Sequence, residues 1–140
     1  MKHILLLFAF VAFVATAVQS QIPVELFELL DDKDTTNLYF GADKNPEFPG
    51  GYEKLVRFYQ NNLYYPTSAR IDGSEGTVYV MFIVELNGKL TNIKATNSIS
   101  KDIDKSAERL IKRMPKWIPG EQDGNPVRVL HVQPVTYKLE

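Results

Sequence analysis

Thr77-Val78-Tyr79-Val80-Met81-Phe82-Ile83-Val84-Glu85-Leu86-Asn87-Gly88 is the stretch on which the fold turns. Val78, Val80, Phe82 and Val84 share one face, while Thr77, Tyr79, Met81, Ile83 and Glu85 share the other, which is the period of two of a strand. Asn87-Gly88 tolerates the positive φ angles of a type I′ turn, so a hairpin to a second strand over residues 89–97 is expected. Leu90 and Ile93 break the alternation in that second strand, which puts a bulge near Thr91-Asn92.

Beyond the hairpin, Ser100 is an N-cap candidate, with Asp102 and Asp104 in the first turn and Lys112 and Arg113 in the last, where they suit the helix dipole. Ile103, Ala107, Leu110, Ile111 and Met114 form the apolar stripe of this helix, and Pro115 ends it. Met114-Pro115-Lys116-Trp117-Ile118-Pro119-Gly120 follows and holds the only tryptophan between two prolines. After a turn through Gly120 and Gly124, residues 127–139 are rich in β-branched side chains and read as the last strand. Pro134 has no N–H for a central ladder, so that strand is expected at an edge or to contain a bulge.

On the N-terminal side, Phe48-Pro49-Gly50-Gly51 opens a helix over residues 51–62 that carries Tyr52, Leu55, Val56, Tyr59 and Leu63 at helical spacing. Pro66 disfavours helical geometry at Tyr65, so Tyr65-Pro66 closes it. The order α-β-β-α-β gives an α+β fold, a three-stranded antiparallel sheet with two helices packed on one face. Tyr79, Met81 and Ile83 then lie on a face that should be polar. Leu38-Tyr39-Phe40 and its neighbours are expected to cover it; a homodimer or partner interface is the rival.

A chain of 140 residues, 44% hydrophobic and 24% charged, has room for one ordinary globular core. Lys2 and His3 precede an apolar run from Ile4 to Val14, and Val18-Gln19-Ser20 offers small residues for cleavage. Residues 1–20 therefore read as a secretory signal peptide, too short for a comfortable span, with an uncleaved inner-membrane anchor the lesser alternative and no stable membrane span once cleaved. Residues 21–45 are an acidic segment and linker of net charge -4, and residues 46–140 are the domain, of net charge +2. A mature net charge of -2 argues against a nucleic-acid partner. Without cysteine there is no disulfide, thiol nucleophile or thiolate metal site.

Phe48-Pro49-Gly50-Gly51, Tyr65-Pro66, the Asn87-Gly88 hairpin and the tryptophan heptapeptide occur in an order that resembles the C-terminal domain of TonB, in the variety common among Bacteroidetes proteins. The resemblance implies a periplasmic interaction domain that needs no cofactor or metal. It implies binding of the TonB-box segment of an outer-membrane TonB-dependent transporter, or a related envelope protein, mainly by strand addition at the last strand. Carried onto this chain, it marks Tyr65 and Pro66, and Val129, Leu130, His131, Val132 and Gln133 as the pairing register. Phe48, Pro49, Gly50, Gly51, Pro115, Trp117, Pro119 and Gly120 match the pattern as structural positions. A full TonB transducer has an uncleaved transmembrane helix and a long Pro-rich spacer; these residues show neither, so an adaptor is expected rather than a transducer acting alone.

The residues argue against an enzyme. After cleavage His131 is the only histidine, and a lone histidine in a strand is a poor base without a partner in reach. Asp102, Asp104 and Glu108 read as helix-dipole partners, and there is no Gly-rich phosphate loop or paired-carboxylate motif. The competing reading is a structural module that forms a homodimer or an envelope assembly through its sheet edge.

Overall fold

The computed structural model describes residues 22–140, so the leader expected over residues 1–20 lies outside the described residues. Helix α1 (Val24–Glu28) and strand β1 (Leu38–Tyr39) precede helices α2 (Tyr52–Asn62) and α3 (Thr67–Asp72). Strands β2 (Gly76–Val84) and β3 (Leu90–Ala95), helix α4 (Lys101–Lys112), and strands β4 (Gly120–Gln122) and β5 (Asn125–Tyr137) complete the chain. The α-β-β-α-β frame is present, but the sheet has five strands where three were expected. Its order is β1-β5-β2-β3, with β4 also paired to β5.

The two additional strands are short and owe their places to long-range contacts. β1 pairs parallel to β5, Leu38 opposite Arg128 and Tyr39 opposite Val129. β4 forms a hairpin with the start of β5, Gln122 opposite Asn125. Its two-residue loop, Asp123 (φ 52°) and Gly124 (φ 78°), has the two positive φ angles of a type I′ turn.

At the first hairpin the expected type I′ turn is not formed. Gly88 has φ 84° and Asn87 is not in the positive region. The Gly88 N–H donates to Glu85 O at 2.8 Å and the Glu85 N–H to Lys89 O at 2.9 Å. This is a three-residue loop ending in a left-handed glycine. The bulge falls where the broken alternation put it: Ile83 faces Thr91 but Met81 faces Lys94, and Asn92 takes φ 52°.

The helices behave largely as their caps and stripes require. Ser100 accepts the Ile103 N–H at 3.2 Å, and Ile103, Ala107, Leu110 and Ile111 are buried. In α2 the buried residue is Leu55, whereas Tyr52, placed in the stripe by spacing, is 78% exposed. Phe48-Pro49-Gly50-Gly51 closes a turn with the Gly51 N–H on Phe48 O at 2.9 Å. Pro49 at its second position and Gly50 (φ 87°) at its third fit a type II turn.

The core lies on both faces of the sheet. On one face Val78, Val80, Phe82, Val84, Val135 and Tyr137 pack with Leu55, Ala69, the α4 stripe, Phe48 and Trp117. On the other, Met81, Ile83 and Leu130 pack with Leu30 and Leu38, flanked by Ile22, Leu26, Phe27, Leu29 and Val132. The N-terminal segment thus covers the face that sequence alternation left apolar, at least over Met81 and Ile83; Tyr79, beyond its reach, stays 47% exposed. Burying these side chains stabilises each by roughly 1.5–3 kcal/mol relative to exposure.

Candidate functional site

β5 is the element on which the site is built. It is antiparallel to β2 along its length, from Gly76 opposite Tyr137 to Val84 opposite Val129. Ahead of the β2 ladder β4 pairs with residues 125–127, and on the outer side β1 takes residues 128–129. From Leu130 to Tyr137, among the described residues, β5 pairs with β2 alone. The strand expected at an edge is therefore paired on both sides at Val129 and is an edge from Leu130 onward.

The outward backbone groups can be assigned by alternation. The Arg128 N–H donates outward to Asn37 O at 3.1 Å, and Pro134 O accepts the Tyr59 hydroxyl at 3.1 Å. Even-numbered residues between them share that direction. Pro134 is tolerated because its missing N–H would face the open side, away from Tyr79 and β2. Among the described residues no hydrogen bond reaches the outward N–H and C=O of Val132. The open window is thus short, limited by β1 at one end and by the Tyr59–Pro134 contact at the other.

Side chains alternate across this window. His131 and Gln133 lie on the helix-covered face and Leu130 and Val132 on the face covered by the N-terminal segment. The His131 Nε2 and Gln133 Oε1 are 2.9 Å apart, and the imidazole centroid is 5.3 Å from both the Trp117 and Phe82 rings. Burial lowers the His131 pKa from 6.5, opposed in part by the Gln133 hydrogen bond, so the ring is neutral at pH 7. Burial likewise pushes the Tyr59 hydroxyl up to about 12, which keeps it a donor.

Trp117 is the hub beside the window. Its ring stands edge-on to Phe48 at 5.9 Å and to Phe82 at 5.2 Å. Its flanks are zipped in place: Glu47 and Ile118 exchange backbone hydrogen bonds at 3.0 and 2.8 Å, and Lys44 and Glu121 do so at 3.0 and 2.9 Å. Trp117 Nε1 is buried without a hydrogen-bond partner. Pro115 and Pro119 frame this crossing, and a Cβ on Gly120 would meet Lys44 O at 2.9 Å.

Not every residue marked from the sequence lies together. Leu130, His131, Val132 and Gln133 form the window, but Val129 is paired on both sides. Tyr65 and Pro66 sit at the opposite end of β5, where Tyr65 packs edge-on to Tyr137 at 5.5 Å and donates to Ser74 O. Five residues of strand, about 17 Å, separate Tyr137 from Val132.

Two features were not read from the sequence. Arg128 forms a fork on Glu85, Nε to Oε2 at 2.8 Å and Nη2 to Oε1 at 3.2 Å, and donates to Asp34 O and Thr36 O at 3.0 and 3.1 Å. It clasps the N-terminal segment to the sheet, and no local signal marks it. The β4 hairpin did carry a signal, Asp123-Gly124. The helix acids act structurally: Asp104 accepts the Ile99 N–H at 3.0 Å, Glu108 the Ala95 N–H at 3.0 Å, and Asp102 the Ser68 hydroxyl. Among the described residues no three of His, Asp or Glu are grouped to hold a metal ion.

An α+β domain whose last strand keeps part of its outer edge open is the class of protein that these features define. The chain belongs to the Gram-negative bacterial TonB protein C-terminal family, which matches residues 61–139. It is similar to two solution structures of the C-terminal domain of Helicobacter pylori TonB. One is 24% identical with a TM-score of 0.45, over 61% of this chain and 90% of that one. The other has the same identity and TM-score over 66% and 87%. No curated protein matches. The family associates the chain with TonB-dependent transport, and its domains are periplasmic interaction modules.

Proposed function

We propose that this protein is a periplasmic TonB-like adaptor that binds an extended, TonB-box-like segment of an outer-membrane transporter by strand addition to the outer edge of β5. In this reading a leader over residues 1–20 exports the chain and is removed. The observation that carries it is the open window around Val132, whose outward N–H and C=O have no partner among the described residues. Unpaired edge groups of this kind accept an extended segment as a further strand. No helix among the described residues is long and apolar enough to cross a membrane.

The window also limits the mode of binding. Beyond Val132 the Tyr59 hydroxyl already occupies Pro134 O, so main-chain pairing is brief and affinity must draw on side chains. An NMR titration of the labelled protein with TonB-box peptides tests the reading. Shifts centred on Leu130–Gln133 at micromolar peptide support it; none at millimolar peptide rejects it. Lines that sharpen on dilution would favour the homodimer through the same edge.

A further inference from the structure

We propose that the cavity between residues 46–55 and the outer edge of β5 is a specificity pocket that receives one apolar, uncharged side chain of the added strand. This rests on the strand-addition reading and sharpens it. The cavity, of about 360 Å³, is lined by Glu47, Phe48, Leu55, Trp117, His131 and Gln133 among others. It is near the lower end of ligand pockets, about 300–1,000 Å³, and suits a side chain better than a cofactor.

Its position follows the geometry of a sheet. Neighbouring strands lie about 4.8 Å apart and alternate side chains share a face. A strand added outside Val132 would therefore send every second side chain to the helix-covered face, beside His131 and Gln133. The cavity touches both of those residues and shares its lining with Phe48 and Leu55 of the core on that face.

Charge selects the occupant. Glu47 is the one acidic side chain in the lining, which holds no Lys or Arg. An acidic side chain would face the Glu47 carboxylate without a cation to balance it, and the aromatic walls disfavour burying any charge. Trp117 is part of the lining, so its indole N–H reports on an occupant of the cavity.

The test is a panel of TonB-box peptides in which each position in turn is Leu, Phe or Asp, titrated into the wild-type protein and Glu47→Lys. Two signals are followed, the Leu130–Gln133 amides and the Trp117 indole N–H. The expected result is one position at which Asp weakens binding at least tenfold while Leu or Phe shifts the indole. Glu47→Lys should cut that penalty to threefold or less. If the β5 amides respond but no position shows a penalty that Glu47→Lys relieves, or the indole stays still, the pocket is refuted and strand addition stands. If neither signal responds at millimolar peptide, strand addition fails, and the pocket with it.

Discussion

The Trp117 N–H donates to Gly88 O at 2.9 Å, and a Cβ built on Gly88 would lie 2.2 Å from Trp117 O. The tip of the β2–β3 hairpin is therefore pressed against the backbone of the tryptophan crossing, and the same tryptophan walls the cavity beside β5. A turn residue and a hub residue 29 positions apart form one joint.

Gly88→Ala should be costly for two separate reasons, the φ of 84° and a clash with backbone that cannot rotate away. We expect a loss of roughly 2–3 kcal/mol, measured by urea unfolding. A substitution at the neighbouring, exposed Lys89 should cost less than about 0.5 kcal/mol. Similar midpoints for the two variants would show that the joint is not rigid.

Arg128→Ala should loosen the N-terminal segment. It removes the fork on Glu85 and two hydrogen bonds to the 34–36 backbone, and strands a Glu85 side chain that is 23% exposed. The expected loss is about 2 kcal/mol. Hydrogen exchange at Leu38 and Tyr39 should accelerate well before that of β2; unchanged protection there would contradict the clasp.

Val132→Pro removes the outward N–H at the centre of the window while sparing the ladder to β2. Peptide binding is expected to fall at least tenfold, with the melting temperature lowered by only a few degrees. Val132→Thr, which keeps the N–H, should bind within threefold of wild type. Undiminished binding by Val132→Pro would place the peptide elsewhere.

His131 makes stability depend on pH in a defined direction. Its folded pKa is lowered by burial from 6.5, so the unfolded chain takes up its proton first as pH falls. The contribution is complete above pH 6.5 and is lost as pH drops from there through the folded value. Chemical unfolding at pH 7.5 and pH 5 should show this decline, and His131→Gln should flatten part of it. An identical pH profile in the variant would mean that the imidazole charges freely in place.

Much of the fold is legible in short stretches because the physics there is local. Alternation from Thr77 to Val84 dictates a strand, Ser100 and the Ile103–Ile111 stripe dictate α4, and the break at Leu90 and Ile93 marks the bulge at Asn92. Where two local rules compete, the reading slips. Asn87-Gly88 and Asp123-Gly124 carry the same turn signal, and the type I′ turn forms only at the second. At the first, Gly88 alone takes a positive φ, and contact with Trp117 leaves no room for a side chain.

The sequence by itself determined that the last strand must have an open side or a bulge at Pro134, since a residue without an N–H cannot sit in a closed, regular ladder. It also determined that the Met81–Ile83 face needs a cover. Only the tertiary structure decided how much of β5 stays open and what the cover is. Those answers depend on pairings such as Leu38 with Arg128, 90 residues apart. Such contacts form when distant segments bury apolar surface together, and nothing in the neighbourhood of either residue encodes the other.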